Sequence, residues 1–408
     1  MLSRADAFIT RTMSRVDRMV HALPPRKKIY SLLLAGLLIY GSFIALDHLV
    51  IRGFVQDVTG GDPLDLDFYR NRTSQILNGS IPYKDFASES PPLIMYLMLP
   101  PQMAGGSLLA YQTYFSAWAV LGGLMLYLGL RRFDDDKAFM VGFVYMAMPY
   151  SVLEFALGAQ DDAISFFMFF LPLVLVLCGR MVGAAAGGAL GFWTKLFNGL
   201  VFPWIILSEE DRKKRNTFIL ALLVIGVAVA VPFLIICPEK FIEFPAYYFF
   251  QDKNAQTGGS GQSPWHFLDL GGFTLPGIIG VGMTLGAIIG STYLAWRWKL
   301  TPWQGFAFII FAFFIFYPKI AFVYFVMMVG LLLPWAVEDR KIMTRLMVMA
   351  LPLFLAVPFS ENGLKPVFDY SWGWIAGLAL SLVAWYILFT TFRMTWKKKC
   401  FIDAKKNP

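Results

Sequence analysis

An all-α polytopic membrane protein is the fold class this sequence predicts, and three observations predict it. Of the 408 residues, 57% are hydrophobic and only 15% are charged, and the mean hydropathy is +0.59. Apolar runs such as Ile29 to Val50, Phe218 to Ile236 and Trp372 to Phe389 recur along the chain. Each is close to the roughly 20 residues a helix needs to cross hydrocarbon. The third observation is where the charge falls. The net +8 is gathered into short basic clusters between apolar runs: Arg26-Lys27-Lys28, Arg131-Arg132 with Lys137, Arg180, Arg212 to Arg215, Arg297 with Lys299, Arg340-Lys341 with Arg345, and Arg393 with Lys397 to Lys399. Backbone in lipid must satisfy its own hydrogen bonds, so the runs read as helices.

Placing every basic cluster in the cytoplasm satisfies the positive-inside rule and puts on the outer side the intervening loops with Asp57 to Glu89, Glu154 with Asp161-Asp162, Glu239 and Glu243, Asp252 with Asp269, and Glu361 with Asp369. The basicity is therefore orientation chemistry, and no nucleic-acid partner is expected. Both termini fall in the cytoplasm, and the alternation gives about twelve spans. Their limits are 29–51, 107–130, 138–154, 163–179, 181–194, 196–208, 216–236, 272–296, 303–317, 320–337, 342–358 and 371–392. The pair 181–194 and 196–208 is short for a full crossing and reads as a broken hairpin. Residues 91–104 read as a helix on or dipping into the outer face, because a span there would turn Arg131-Arg132 outward. Residues 1–28 read as a basic amphipathic segment on the cytoplasmic leaflet rather than a cleaved signal. Residues 29–392 form the membrane domain, with a first outer loop at 52–106 and a long outer loop at 238–271. Residues 393–408 form a basic cytoplasmic tail.

Three cysteines and three histidines are too few and too scattered for a disulfide framework or a zinc site. Carboxylates, lysine and arginine must carry any chemistry. The first outer loop holds the acids most densely: Asp57, Asp62, Asp65, Asp67, Asp85 and Glu89. Residues 64–78 predict a helix closed by Gly79, with Asp65 and Tyr69 at i and i+4 on one face and Arg72 nearby. Lys195 and Lys319 lie at the outer boundary, against the bias of every other basic cluster. A lysine there is expensive and therefore a functional candidate.

Several segments carry a resemblance. They are Asp65-Leu-Asp-Phe-Tyr69, Gly79-Ser-Ile-Pro-Tyr83, and Glu89-Ser-Pro-Pro; then Gly158-Ala-Gln160-Asp161-Asp162, Trp193-Thr-Lys195, and Tyr317-Pro-Lys319 with Tyr324 beyond it. Together they resemble the polyprenyl-phosphate-sugar-dependent glycosyltransferases of the GT-C fold. The look is closest to the polyprenol-phosphate-mannose-dependent α-mannosyltransferases and the first mannosyltransferase of glycosylphosphatidylinositol assembly. One departure stands out: Asn198-Gly199 occupies the place where the family often has a proline after its lysine.

The resemblance implies a GT-C-like membrane fold with juxtamembrane helices in the first outer loop. It implies a lipid-linked donor, a glycan or glycolipid acceptor, and transfer on the outer face, with mannose as the sugar. A carboxylate takes the proton of the acceptor hydroxyl, and one base opposite the leaving group gives inversion. Asp65 fills that position, with Asp67 as the alternative. Lys195 and Lys319, with Arg70 and Arg72, would meet the donor phosphate. Tyr69, Tyr83, Glu89, Gln160, Asp161, Asp162, His266, Tyr317 and Tyr324 would contact substrate. No cofactor is expected, although Asp65 with Asp67 offers a pair of acids to Mg²⁺ or Mn²⁺. The glycine-rich half of the long loop suggests a closing lid. The setting suggested is a prokaryotic plasma membrane. The rival reading is a transporter or lipid flippase, whose marks would be charge in mid-span and inverted repeats. The runs are almost free of charge, and no repeat is evident.

Overall fold

The computed structural model describes residues 21, 23–59, 64–246, 261–273, 277–360, 372–396 and 398–404. The basic segment before His21, the stretch 247–260 and the last residues of the tail lie outside these. Every regular element among the described residues is helical.

Helix α1 (Pro25–Leu46) starts with proline at its first position, where the missing N–H costs nothing. It runs through a π-helical turn, Asp47–Ile51, into α2 (Arg52–Thr59). The first loop then folds into α3 (Leu66–Leu77) and two short helices, α4 (Pro92–Leu97) and α5 (Leu99–Met103). The last two are far too short to cross a bilayer, in keeping with a surface or dipping segment. Gly79 comes after α3 at φ 89°, and the Ser80 N–H donates to the Gln75 carbonyl at 2.9 Å. Only glycine holds that left-handed stop without strain.

Helix α6 (Leu108–Leu130) is capped by Ser107 and packs on α1 and on α7 (Asp135–Ala147). The α6–α7 seam needs glycine. A Cβ on Gly142 would stand 2.5 Å from the Gly123 carbonyl, so small residues let the two backbones touch. A turn at Pro149–Ser151 leads into a second π-helical stretch, Val152–Leu157, and then α8 (Asp162–Leu177). Helix α9 (Met181–Phe192), a 3₁₀ turn at Leu196–Val201 and α10 (Phe202–Ser208) come next, and α9 packs between α8 and α11 (Arg212–Ile236). The rest comprises α12 (Pro238–Ala246), α13 (Pro264–Leu270), α14 (Gly277–Arg297), α15 (Pro302–Phe316), α16 (Phe325–Ala336), α17 (Arg340–Ser360), α18 (Gly373–Trp396) and α19 (Phe401–Ala404).

Among the described residues six helices are long and apolar enough to cross a membrane, or seven if α7 and the bent segment after it count as one span. Five more apolar helices run only 10–17 residues. The 16 residues of α8 rise about 24 Å, short of the roughly 30 Å of hydrocarbon. The expected spans therefore each find an apolar helix, but length alone supports six or seven crossings. The reason is interruption: the chain leaves helical form around Lys195 and Lys319, and those breaks shorten the helices on either side.

Helix α6 measures the distance between the two ends of the bundle. Tyr111 near its start meets Thr73 at 3.2 Å, and Tyr127 near its end donates to Asp135 at 3.0 Å. Sixteen residues of helix separate them by about 24 Å, so α3 and the start of α7 lie at opposite ends.

Candidate active site

Asp65 caps the start of α3, where the Tyr69 N–H donates to its carbonyl at 3.0 Å. Helical spacing turns the Asp65 and Tyr69 side chains to one side, and Gln160 meets both there. Its Nε2 donates to Asp65 Oδ2 at 3.3 Å, and its Oε1 accepts from the Tyr69 hydroxyl at 3.5 Å. The Tyr69 oxygen in turn accepts from the Asp161 N–H at 3.4 Å. Gln160 reaches this place because the backbone turns sharply before it. The π-helical stretch ends at Leu157, and Ala159 sits at φ 47°, a left-handed conformation few L-residues adopt.

Asp161 and Asp162 open α8, where the helix dipole favours negative charge. Both face Lys195, whose Nζ lies 3.1 Å from Asp161 Oδ1 and 2.6 Å from Asp162 Oδ1. Lys195 itself stands on extended backbone, φ −149° and ψ 133°, between α9 and the 3₁₀ turn. Asn198 locks that break. Its amide, 1% exposed, donates to the Gly191 carbonyl at 2.8 Å and approaches Thr194 Oγ1 at 3.2 Å and Ser165 at 3.3 Å. An amide thus closes a turn where the resembling families often have proline.

The result is one connected group: Asp65, Gln160, Tyr69, Asp161, Asp162 and Lys195. Burial raises the Asp65 carboxyl above the usual carboxylate range, and the negative Asp161 adds to this. The Gln160 hydrogen bond and the Lys195 charge pull the other way. Asp65 nonetheless keeps an accessible surface. Burial holds the Tyr69 phenol protonated, with help from Asp161 and Asp65. A raised carboxylate beside a fixed ammonium is equipped to take a proton near a developing anion. Among the described residues no group of three or more His, Cys, Asp or Glu is arranged to hold a metal.

Other expected residues fall elsewhere. Asp67 is 96% exposed and pairs only loosely with Arg70, at 3.3 Å. Of the two candidate bases, then, only Asp65 joins the cluster. Arg70 donates to the Gly106 carbonyl at 2.7 Å. Arg72 is buried and reaches Ser90 Oγ and Glu89 Oε2, both at 2.7 Å, with its guanidinium 3.4 Å from the centre of the Phe68 ring. Tyr83 donates to the Ser90 carbonyl at 2.5 Å from inside a box of Phe233, Phe241 and Phe244. Arg72, Glu89 and Tyr83 therefore brace the first loop. Lys319 is half-buried on the break after α15, a segment pinned where Ser263 donates to the Pro318 carbonyl at 2.6 Å and the Gln262 N–H to that of Ile320 at 2.7 Å. Tyr317 stacks on Phe313, and Tyr324 meets Phe197, two residues past Lys195. The two lysine-bearing breaks are thereby joined through aromatic contact. His266 is 5% exposed, near the Ser360 carbonyl at 3.4 Å, and burial depresses its basicity.

Sequence patterning passes over Asp47 and Gln112, both fully buried. Asp47 accepts from Arg52 at 2.8 Å and from Gln112 at 2.7 Å. The signal is present, since Asp47 is a lone carboxylate inside the apolar run Ile29 to Val50.

No curated protein matches the chain. The model of glycosyltransferase family 87 matches residues 90–318, more than half of the chain. That stretch takes in Gln160, Asp161, Asp162 and Lys195, while Asp65 lies before it and Lys319 just after. With its several membrane-length apolar helices, the chain belongs to glycosyltransferase family 87, a GT-C-like family, and is an integral membrane glycosyltransferase.

Proposed function

We propose that the protein moves a sugar, with mannose the favoured candidate, from a polyprenyl-phosphate donor to an acceptor hydroxyl. The acceptor oxygen attacks the anomeric carbon as the bond from that carbon to the phosphate oxygen breaks. The configuration inverts, and polyprenyl phosphate departs. Asp65 takes the hydroxyl proton. Such a base contributes typically 10²–10⁴ in rate, most when its pKa sits toward the operating pH. Lys195, steadied by Asp161 and Asp162, offers positive charge to the leaving phosphate, and Lys319 on the adjoining break is its second candidate. Gln160 and Tyr69 hold Asp65 in line. The acceptor is a glycan or glycolipid, and the reaction takes place on the outer face of a prokaryotic plasma membrane.

The observation that carries this reading is the pair of Gln160 contacts, which tie Asp65 to the segment bearing Asp161 and so to Lys195. The test is sugar transfer by the purified protein from defined polyprenyl-phosphate sugars. Asp65→Asn is expected to lower kcat by about two orders of magnitude or more, and Asp67→Asn to leave it within about threefold. Full activity in Asp65→Asn would remove the base assignment. Solute movement without turnover of any such donor would favour a transporter.

A further inference from the structure

The Asp47–Arg52 pair has no part in the proposed chemistry, yet it is anchored toward it. Asp47 and Arg52 are five residues apart, which on an ordinary α-helix would point them about 140° from each other. The π-helical turn Asp47–Ile51, closed by the Arg52 N–H on the Asp47 carbonyl, brings them to one side. Arg52 Nη2 then donates to Asp47 Oδ2 at 2.8 Å and to the Leu157 carbonyl at 2.9 Å. Gln112 of α6 donates to the same Asp47 oxygen at 2.7 Å, and His48 Nε2 lies 2.9 Å from the Gln112 carbonyl oxygen.

Leu157 is the last residue of the second π-helical stretch, three before Gln160. Carbonyls at a helix end lack intrahelical partners, and a guanidinium there satisfies one and complements the dipole. A buried ion pair is weak evidence for stability, because desolvation offsets its attraction. Inside an apolar run it calls for another reason.

We infer that Arg52 is a positioning residue: held by Asp47, which Gln112 steadies, it grips the Leu157 carbonyl and fixes the turn that sets Gln160 against Asp65 and the two aspartates against Lys195. This rests on the reading of that cluster as the reaction centre. The grip needs the length and fork of arginine. A lysine at 52 keeps the charge beside Asp47 but is too short to span Asp47 and Leu157 together.

The experiment uses full-length protein in nanodiscs, with Arg52→Lys and, as an isosteric second variant, Asp47→Asn. Amide exchange over 158–163 and the kinetics of sugar transfer from a polyprenyl-phosphate sugar are measured together. Both variants are expected to exchange faster at 158–163 than the parent while 135–147 is unchanged. Their kcat is expected to fall about 10- to 100-fold with KM within about threefold, since misplacing a reacting group by an ångström costs rate rather than binding. Parental exchange at 158–163 overturns the grip whatever the donor is. Faster exchange with unchanged kcat overturns the positioning role. Faster exchange in a protein that transfers no sugar from any such donor overturns the functional reading and leaves the grip standing.

Discussion

Two lysines in this protein each hold a pair of consecutive aspartates at the first turn of a helix, and they sit at opposite ends of the bundle. Lys28 holds Asp135, at 2.5 Å, and Asp136 on α7; Lys195 holds Asp161 and Asp162 on α8. The difference lies in which partner faces outward. Lys28 is 2% exposed and its aspartates 34% and 32%, whereas Lys195 is 18% exposed and its aspartates 11% and 4%. In the first group the cation is spent on holding α1 to α7. The neighbouring pairs Lys137–Glu338 and Lys398–Asp339 extend the same clasp to the chain's end, where Cys400, Phe401 and Ile402 are buried. In the second group the acids are buried more deeply than the lysine, and the group joins Asp65 through Gln160. The same two residue types make a clasp at one end and, in the proposed reading, a phosphate partner at the other, and the two differ in which partner is the more exposed.

Neutralising each lysine is the strongest way to break that comparison. Lys195→Met is expected to lower kcat by about 10²–10³, the usual loss when one fixed charge partner of a leaving group is removed. Lys28→Met should keep turnover within about threefold. It should instead cost about 1–3 kcal/mol in unfolding, below the full penalty for breaking a buried pair because its acids are one-third wet. Transfer rates and thermal unfolding of both variants decide it. A Lys28→Met protein that is stable but inactive would erase the distinction.

How much of this was legible in the sequence depends on the physics behind each signal. Hydropathy and basic clusters located the helices, since burial in lipid acts on composition alone. Crossing number was less legible, because the breaks at Lys195 and Lys319 depend on tertiary bonds such as those of Asn198. The spacing of Asp65, Tyr69 and Gln160-Asp161-Asp162 marked residues that do converge. It put Asp65 ahead of Asp67, two positions along the chain, but kept Asp67 as the alternative, because the contact with Gln160 that sets them apart is tertiary. Arg72 and Tyr83 looked like ligand contacts, but their partners, Ser90 and a box of phenylalanines, come from chain positions that periodicity does not link. Asp47 and Arg52 stayed hidden because helical spacing at five residues predicts no contact, and the π-turn that supplies one is invisible in composition.

The two lysines also differ in their backbone, which gives a smaller test. Lys28 rides on an unbroken helix, whereas Lys195 depends on the turn that Asn198 closes. Asn198→Ala removes one of several donors to the Gly191 carbonyl, so a loss of about 0.5–1.5 kcal/mol is expected. Turnover should fall about tenfold as Lys195 loses its setting. Asn198→Asp, which keeps the size but cannot donate as an amide does, should resemble alanine. Wild-type turnover in both variants would mean that the aspartates alone place Lys195.

The smallest effect is on pH, and there the two ends move in opposite directions. At the clasp, burial alone would raise Asp339, but the Lys398 hydrogen bond, the N–H groups of Lys341 and Ile342 and the Lys398 charge together hold it below the usual range. Its contribution to stability is then complete above the ordinary carboxylate pKa of about 3.9 and is lost only as pH falls through its lowered value. Asp65 is raised instead, by burial first and then by Asp161, against the opposing pull of Gln160 and Lys195. A base must be ionised to accept a proton, so the acid limb of kcat/KM should lie above the ordinary carboxylate value. On acidification, activity should therefore fade reversibly while the clasp still holds, and unfolding should come at lower pH. Gln160→Ala sharpens the point. The Gln160 Nε2 stabilises the ionised carboxylate, so its removal should move the limb further up while the pH of unfolding stays where it was. A limb that moves down, or one that coincides with unfolding, would mean that Asp65 is not the group being titrated.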